Sequence, residues 1–560
     1  MVATVGPLTA RVFDSLNSNA LTSVGGAGGT SQLESLLKLD AELQELHAGR
    51  WPPPPTNDFV RRMDALLRPD SQDYYDVAVC GGTLGILLAC ALQLQGHRVA
   101  VIEAGPLRGR QQDWNTSEEE LEALVAAGVL ARDELAEVAP LSFGPMRCAF
   151  GPSPSFELKL AGVLDVAVSP EALLRCVRKR FEAAGGRVLE FTRVQQVDVH
   201  EDGAKLVLNE KEINVRLVVD CMGHRSPIAL QQRGGQKPDG VCVQVGCCAT
   251  ADGFAQWGQT GDFFCTAGDA SAGGPSGRAR VQHFWQAFPT SSDEENERST
   301  YMFTYLKPSP EMPSLVDTLE AFWTALPGYQ RLDGREDPLA ELIVSRVVFG
   351  WFPTYRRNAP LQPSFDRILS VGDASAVQSP ISFGGFCAML RHLPRLRSGI
   401  DLALRSDSLS RDELALLAPY LPNLSSAWMS SAAMTARPYA DRAPPSPIVN
   451  QLLEGNFKVM SELPRKEAIT FFRDVTTLKT LTAVLVGQTL TMATLLPSVV
   501  AEIGALEIGE FGLHLMMLAV YTGLHTVSPD EPLPATGEVS GEDYRRSCYR
   551  DAWRYGSGLD

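Results

Sequence analysis

Residues 76–103, DVAVCGGTLGILLACALQLQGHRVAVIE, constrain this chain more than any other stretch. An apolar strand over 76–79 leads into the tight turn Cys80-Gly81-Gly82-Thr83-Leu84-Gly85, and a helix follows over 86–95. Gly96 closes that helix, and a second strand over 98–102 ends at Glu103. This is the order and length of a βαβ dinucleotide fold. Gly82 lets the backbone approach a pyrophosphate, whose charge sits on the free N–H groups of Thr83, Leu84 and the helix N-terminus. Gly85 lets the helix pack close to the sheet, and Glu103 is placed to accept hydrogen bonds from an adenosine ribose. Cys80 stands where the fingerprint has its first glycine, so the turn must tolerate a small side chain.

Composition bounds the rest. A chain of 560 residues with 44% hydrophobic residues can build several domains around sizeable cores. Its net charge of −16 excludes nucleic acid as a partner, because phosphate contacts need clustered Lys and Arg. The 11 cysteines sit mostly in apolar strands or helices, none with the spacing of a metal site, and read as buried thiols.

Residues 1–30 are Ser/Thr/Gly/Ala-rich and acid-poor, which fits either a transit-like segment or a disordered tail. Residues 31–70 hold an amphipathic helix, opened by Ser31 and Glu34, and a stiff spacer at 52–55. The nucleotide-binding domain is expected over 71–235 and 355–440, with a strand-rich substrate domain inserted at 236–354. There the strands over 280–288 and 301–306 form an antiparallel pair, and Gly/Ser/Ala-rich 266–278 is expected to be a mobile loop. The basic face of the helix over 169–184 is a solvated surface rather than a binding patch. Residues 448–526 form a helical extension whose apolar stretches (481–500 and 511–523) suit a buried bundle or monotopic attachment better than a membrane span. Residues 527–560 are polar and expected to be disordered.

A second signature follows the strand over 367–371: Gly372-Asp373-Ala374-Ser375, then Ser379-Pro380, then Phe383-Gly384-Gly385-Phe386 opening a helix. A third, Asp220-Cys221-Met222-Gly223-His224-Arg225-Ser226-Pro227, follows the strand over 217–219. Together the three resemble the flavoprotein superfamily of p-hydroxybenzoate hydroxylase, geranylgeranyl reductase and the lycopene cyclases. The implied fold is α/β: a three-layer FAD-binding domain of Rossmann type (GR2 or p-hydroxybenzoate hydroxylase-like), an inserted mixed β-sheet substrate domain and a helical C-terminal extension. By this resemblance FAD is the cofactor, and Gly372 and Asp373 hold its ribityl or pyrophosphate region. The turn from Pro380 to Gly384 and Gly385 presents a helix N-terminus to the isoalloxazine, where backbone dipoles favour negative charge. Asp220 matches a mid-chain Asp-Gly motif with two residues intervening, or simply caps a turn.

More narrowly, VCGGTLGI, the stretch from Arg108 through Arg110 to Trp114 and Asn115, Lys237-Pro-Asp-Gly240, Tyr301–Tyr305, Phe352-Pro-Thr-Tyr355 and FDRILSVGDASAVQSPISFGGF resemble the CruA/CruP branch of lycopene cyclase-like flavoproteins, and its CruP group most. This resemblance implies that Arg110 belongs to the cofactor site. It also implies a carotenoid or other isoprenoid lipid as substrate, and a chloroplast location peripheral on thylakoid or envelope membranes.

Lycopene cyclisation is non-redox although reduced FAD is required. It needs a water-excluding tunnel, aromatic faces for a carbocation and a positioned acid. Phe284, Trp285, Phe288, Tyr301, Phe303 and Tyr305 offer aromatic faces, or serve as plain sheet core. Plant-type cyclases carry a Glu-Glu pair on the strand that aligns with 301–306, and this chain has none there. Glu157, Asp165 and His224 are candidate acids, none marked by spacing, so the catalytic residue stays open. Two other readings compete. One is an FAD-dependent oxidoreductase (an alkene reductase or monooxygenase) supplied by ferredoxin or transiently bound NADPH. The other is a regulatory paralogue that binds flavin and carotenoid without turnover.

Overall fold

The computed structural model describes residues 5–18, 32–51, 58–67, 74–109, 111–209, 211–292, 294–332, 337–377, 384–439, 449–473, 475–491, 496–528 and 537–560. Arg110, Pro380, Ser31 and the spacer at 52–55 lie outside these.

The βαβ unit consists of strand Tyr74–Cys80, helix Gly85–Leu94 and strand Val99–Ile102. It sits in an eight-stranded sheet with Tyr74–Cys80 at its centre, flanked in parallel by Val99–Ile102 and Glu212–Asp220. Strand Ile368–Ser370 runs parallel beside the last three residues of Glu212–Asp220, and Arg187–Leu189 closes one edge. Val60–Arg62 adds the opposite edge, beyond the antiparallel arm Val194–Val199 and Ala204–Leu208. Because strand side chains alternate, Val77 and Val79 bury against helices Gly85–Leu94, Pro170–Ala183 and Gly385–Arg405. Ala78 and Cys80 bury on the other face with Val197, Leu206 and Ile228. Helix Pro170–Ala183 is capped by Ser169 and keeps its basic residues in surface ion pairs with Glu134, Glu137, Glu182 and Glu190.

The second sheet has seven strands in the order Ile343–Thr354, Gly240–Thr250, Arg298–Leu306, Phe284–Pro289, Gly261–Cys265, Met146–Ala149 and Glu157–Leu160. It is mixed, since Gly261–Cys265 runs parallel to Met146–Ala149. The expected boundary at 236 is therefore corrected. Residues 146–160 belong to this sheet, held by the buried pair of Arg147 and Asp262 (2.8 and 3.0 Å) that joins neighbouring strands. One face is covered by helices Pro7–Ser18, Gln32–His47 and Leu315–Tyr329, and the other by helices Val449–Ser461 and Arg465–Phe472.

Three segments expected to be loose contain regular elements. Within 1–30, Pro7–Ser18 is a helix that buries Val12, Phe13 and Leu16, and Glu320 accepts the amides of Leu8 and Thr9. Within 266–278, Ser271–Gly273 pairs antiparallel with Ala279–Val281. Within 527–560, Gly541–Ser557 is a helix whose Tyr544, Cys548, Ala552 and Tyr555 recur at helical spacing on one buried face. In the first and last, a few large apolar side chains on one face outweigh a polar average. The helical extension contains Leu478–Thr491, Leu496–Ile503 and Ala505–Val527, and no described helix is long and apolar enough to cross a membrane.

Candidate flavin site

The three signatures lie at the C-terminal edge of the first sheet, where open α/β sheets place ligands. Register puts Cys80 opposite Ile102 and Asp220, and Asp220 opposite Ser370, so four strands end at one level. The chain then turns at Gly81, whose φ of 95° excludes most side chains. A Cβ there would also lie 2.4 Å from the Cys221 carbonyl oxygen. Cys80 replaces the first glycine of the fingerprint without strain because it is still a strand residue, buried in the sheet core. Gly85 packs its helix onto the sheet, since a Cβ there would lie 2.7 Å from Val79 Cγ1 and 3.2 Å from Cys221 Cβ. Glu103 accepts the Gly82 amide at 2.7 Å and the Gly105 amide at 3.2 Å, which fixes its carboxylate at the turn. Among the described residues, the amides of Thr83, Leu84 and Gly85 have no hydrogen-bond partner.

The second motif meets the first. Gly372, at φ 63°, starts a single 3-10 turn that carries Asp373. A Cβ placed on Gly385 would touch the Asp373 carboxylate at 3.5 and 3.9 Å and Leu84 Cδ1 at 4.0 Å. Gly384 is the N-cap of helix Gly385–Arg405 and makes no side-chain cap hydrogen bond, so the helix begins beside Asp373. Phe386 packs on Trp114 with ring centroids 4.9 Å apart, and Cys387 Sγ donates to the Asn115 carbonyl. Gly109 is pressed against the start of helix Pro170–Ala183, where a Cβ would lie 2.2 Å from Pro170.

The third motif is structural at Asp220. Its buried carboxylate accepts the Met222 amide and the hydroxyls of Ser226 and Ser370, tying together three segment ends. Burial pushes its pKa up to about 6 against those hydrogen bonds. The next turn, Gly223–Arg225, packs on the Gly372–Ser375 turn. It sets the His224 ring 5.5 Å from Trp351 and 6.3 Å from Phe352. His224 Nε2 is enclosed and has no hydrogen-bond partner, and burial lowers the pKa to about 4, so the imidazole is neutral near pH 7.

The other candidate acids are committed elsewhere. Glu157 pairs with Arg147 at 3.3 Å, and Asp165 accepts the Gly162 amide at 2.5 Å. The aromatic residues divide between two faces. Trp285 stacks on Tyr329 at 4.3 Å under helix Leu315–Tyr329. Phe284 and Phe303 pair across their strands and pack with Phe264, which Phe457 covers. The proposed carbocation wall is therefore closed core. Tyr301 is its polar exception, with its hydroxyl accepting from Gln112.

These features define the class: an α/β FAD-binding fold of the GR2 or p-hydroxybenzoate hydroxylase type, with a mixed-sheet second domain and a helical C-terminal region. Solved structures share it. A geranylgeranyl bacteriochlorophyll reductase-like protein from Thermoplasma acidophilum aligns over 77% of this chain and 98% of its own, with 17% identity and a TM-score of 0.52. The halogenase PltM in complex with phloroglucinol and FAD aligns over 72% of this chain and 83% of its own, with 12% identity and a TM-score of 0.50. No family model and no curated protein matches the sequence. At these identities the likeness is one of fold, that of FAD-dependent enzymes.

Proposed function

We propose that this chain binds FAD and acts as an oxidoreductase on a long apolar isoprenoid, as a geranylgeranyl-reductase-like alkene reductase or a monooxygenase, with electrons from ferredoxin or NADPH. The observation that carries the proposal is the meeting of Leu84, Asp373 and Gly385 within contact distance, which joins two distant signatures into one cradle. The unpartnered amides from Thr83 to Gly85 would hold the pyrophosphate, and Glu103 the adenosine ribose. Asp373 would hold the ribityl region, and the N-terminus at Gly384 and Gly385 would face the flavin ring. Bound FAD would supply the electron-transfer chemistry. Phe386 packs on Trp114 beside the cradle, and His224, whose ring stands against Trp351 and Phe352 of the second sheet, would be the group that moves a proton.

A second reading, non-redox cyclisation of a carotenoid, is favoured by the CruA/CruP-like motifs. It would place the protein peripherally on plastid membranes. Among the described residues, the candidate acids Glu157 and Asp165 are already paired and the aromatic residues are core. The test is incubation of the FAD-reconstituted, anaerobically reduced protein with lycopene or a geranylgeranyl lipid in liposomes, followed by mass analysis. A gain of two hydrogens per reduced bond, or of oxygen on admission of air, is expected. An unchanged mass with cyclic end groups would establish the second reading. Bound flavin with no product from either lipid would favour a regulatory paralogue.

A further inference from the structure

Far along the chain, helices Pro422–Met434 and Ala505–Val527 and the turn Arg356–Asn358 enclose a cavity of about 280 Å³. That is room for about nine waters at ~30 Å³ each, or one ring-sized polar group. Its polar lining is balanced in charge. Arg356 forms a two-point pair with Glu507 (2.5 and 2.8 Å), and Arg357 pairs with Glu510 at 3.0 Å. The Tyr420 hydroxyl meets His514 Nδ1 at 2.5 Å. Burial raises the Tyr420 pKa to about 12 and lowers that of His514, so both are uncharged near pH 7. The remaining walls include Trp428 and Phe511.

Leu513 lines this cavity and is also 53% exposed on the outer side of its helix. From there Leu506, Leu513, Val520 and Val527 recur every seven residues with Met516 among them, all exposed. Helix Ala505–Val527 therefore carries an uncovered apolar stripe running from the mouth of this cavity, whose lining is mixed polar and apolar.

We propose that this cavity and stripe form a binding site for a neutral amphiphile with a polyhydroxylated head group, the chemistry of a glycolipid in a bilayer surface. An anionic head would have to displace a carboxylate already paired with each arginine and then stand beside it. A cationic head would meet the two arginines in the same way. Hydroxyl groups both donate and accept, so they can bridge carboxylate oxygens and guanidinium N–H groups without adding charge. Trp428 and Phe511 supply apolar wall against which a sugar ring would pack, and the stripe would lie against the lipid chains. The site is separate from the flavin cradle and does not depend on the function proposed above.

The test is flotation of the full chain with three vesicle types: phosphatidylcholine alone, with digalactosyldiacylglycerol, and with phosphatidylglycerol. Losing two or three hydroxyl hydrogen bonds should separate the galactolipid vesicles from the others by about tenfold in apparent affinity. The exposed double variant Arg357→Gln/Glu510→Gln should bind all three as the wild type binds phosphatidylcholine, with its melting temperature checked for retained fold. A short-chain alkyl glucoside below its micelle concentration should compete with galactolipid binding by the unmodified protein. Equal binding to all vesicles, preference for phosphatidylglycerol, or failure of the glucoside to compete would overturn the proposal. So would absence of vesicle binding with concentration-dependent dimerisation that Leu513→Glu abolishes.

Discussion

Gly81 and Gly82 are adjacent but respond to a side chain in different ways. At Gly81 an added Cβ meets backbone, the Cys221 carbonyl, in a left-handed conformation, and neither can yield. Gly81→Ala should cost about 2–4 kcal/mol in denaturant unfolding. At Gly82 the nearest atom is Leu107 Cδ1, a flexible tip 2.7 Å away, so Gly82→Ala should cost only about 1 kcal/mol. With FAD held as proposed, the new methyl group would crowd Leu107 and the Glu103 carboxylate and should lower flavin retention on gel filtration. Asp220 gives a pH signature. Its folded pKa of about 6 lies above the usual carboxylate value, so the folded state binds the proton more tightly than the unfolded chain. Its contribution therefore falls as pH rises from about 4 to about 6. Subtracting the stability of Asp220→Asn from that of the wild type at each pH should show this decline and a plateau above it. His224→Ala should leave flavin content unchanged and slow turnover by about a hundredfold or more if His224 carries the proton. An unchanged rate would remove it from the mechanism.

Among elements, helix Gly541–Ser557 shows what a composition-based reading misses. Seven of its 17 residues are charged, yet Tyr544 is fully buried with its hydroxyl donating to the Glu413 carbonyl. Tyr555 lies 5.7 Å from the His392 ring, on the helix that opens at Gly385. Tyr544→Ala should cost about 3–5 kcal/mol, and Ser540→Ala, which removes the N-cap, about 1 kcal/mol, both measurable by chemical denaturation. By contrast the βαβ unit was legible almost residue by residue. Its determinants are local: short apolar strands, a glycine turn and a helix within one continuous stretch. The antiparallel pairing of Phe284–Pro289 with Arg298–Leu306 was legible for the same reason, through a short polar connection. The pairing of Met146–Ala149 with Gly261–Cys265 was not, because nothing near either strand names its partner.

Over the whole molecule, the second sheet is closed on both faces, one by the two N-terminal helices with helix Leu315–Tyr329 and the other by helices Val449–Ser461 and Arg465–Phe472. Arg147 and Asp262 are buried where its strands meet, so Arg147→Leu should cost about 3–5 kcal/mol by stranding the carboxylate. The sequence by itself determined the nucleotide turn, the second glycine motif and the antiparallel aromatic pair, because each depends on backbone conformation and spacing over a few residues. Tertiary structure decided which acids are spent in ion pairs and turns, that the aromatic wall is core, and that Asp220 ties strands together. It also brought Leu84, Asp373 and Gly385 to one point. The physical reason is that burial and hydrogen-bond partnership are set by segments distant in sequence, and their packing fixes whether a side chain is available for chemistry.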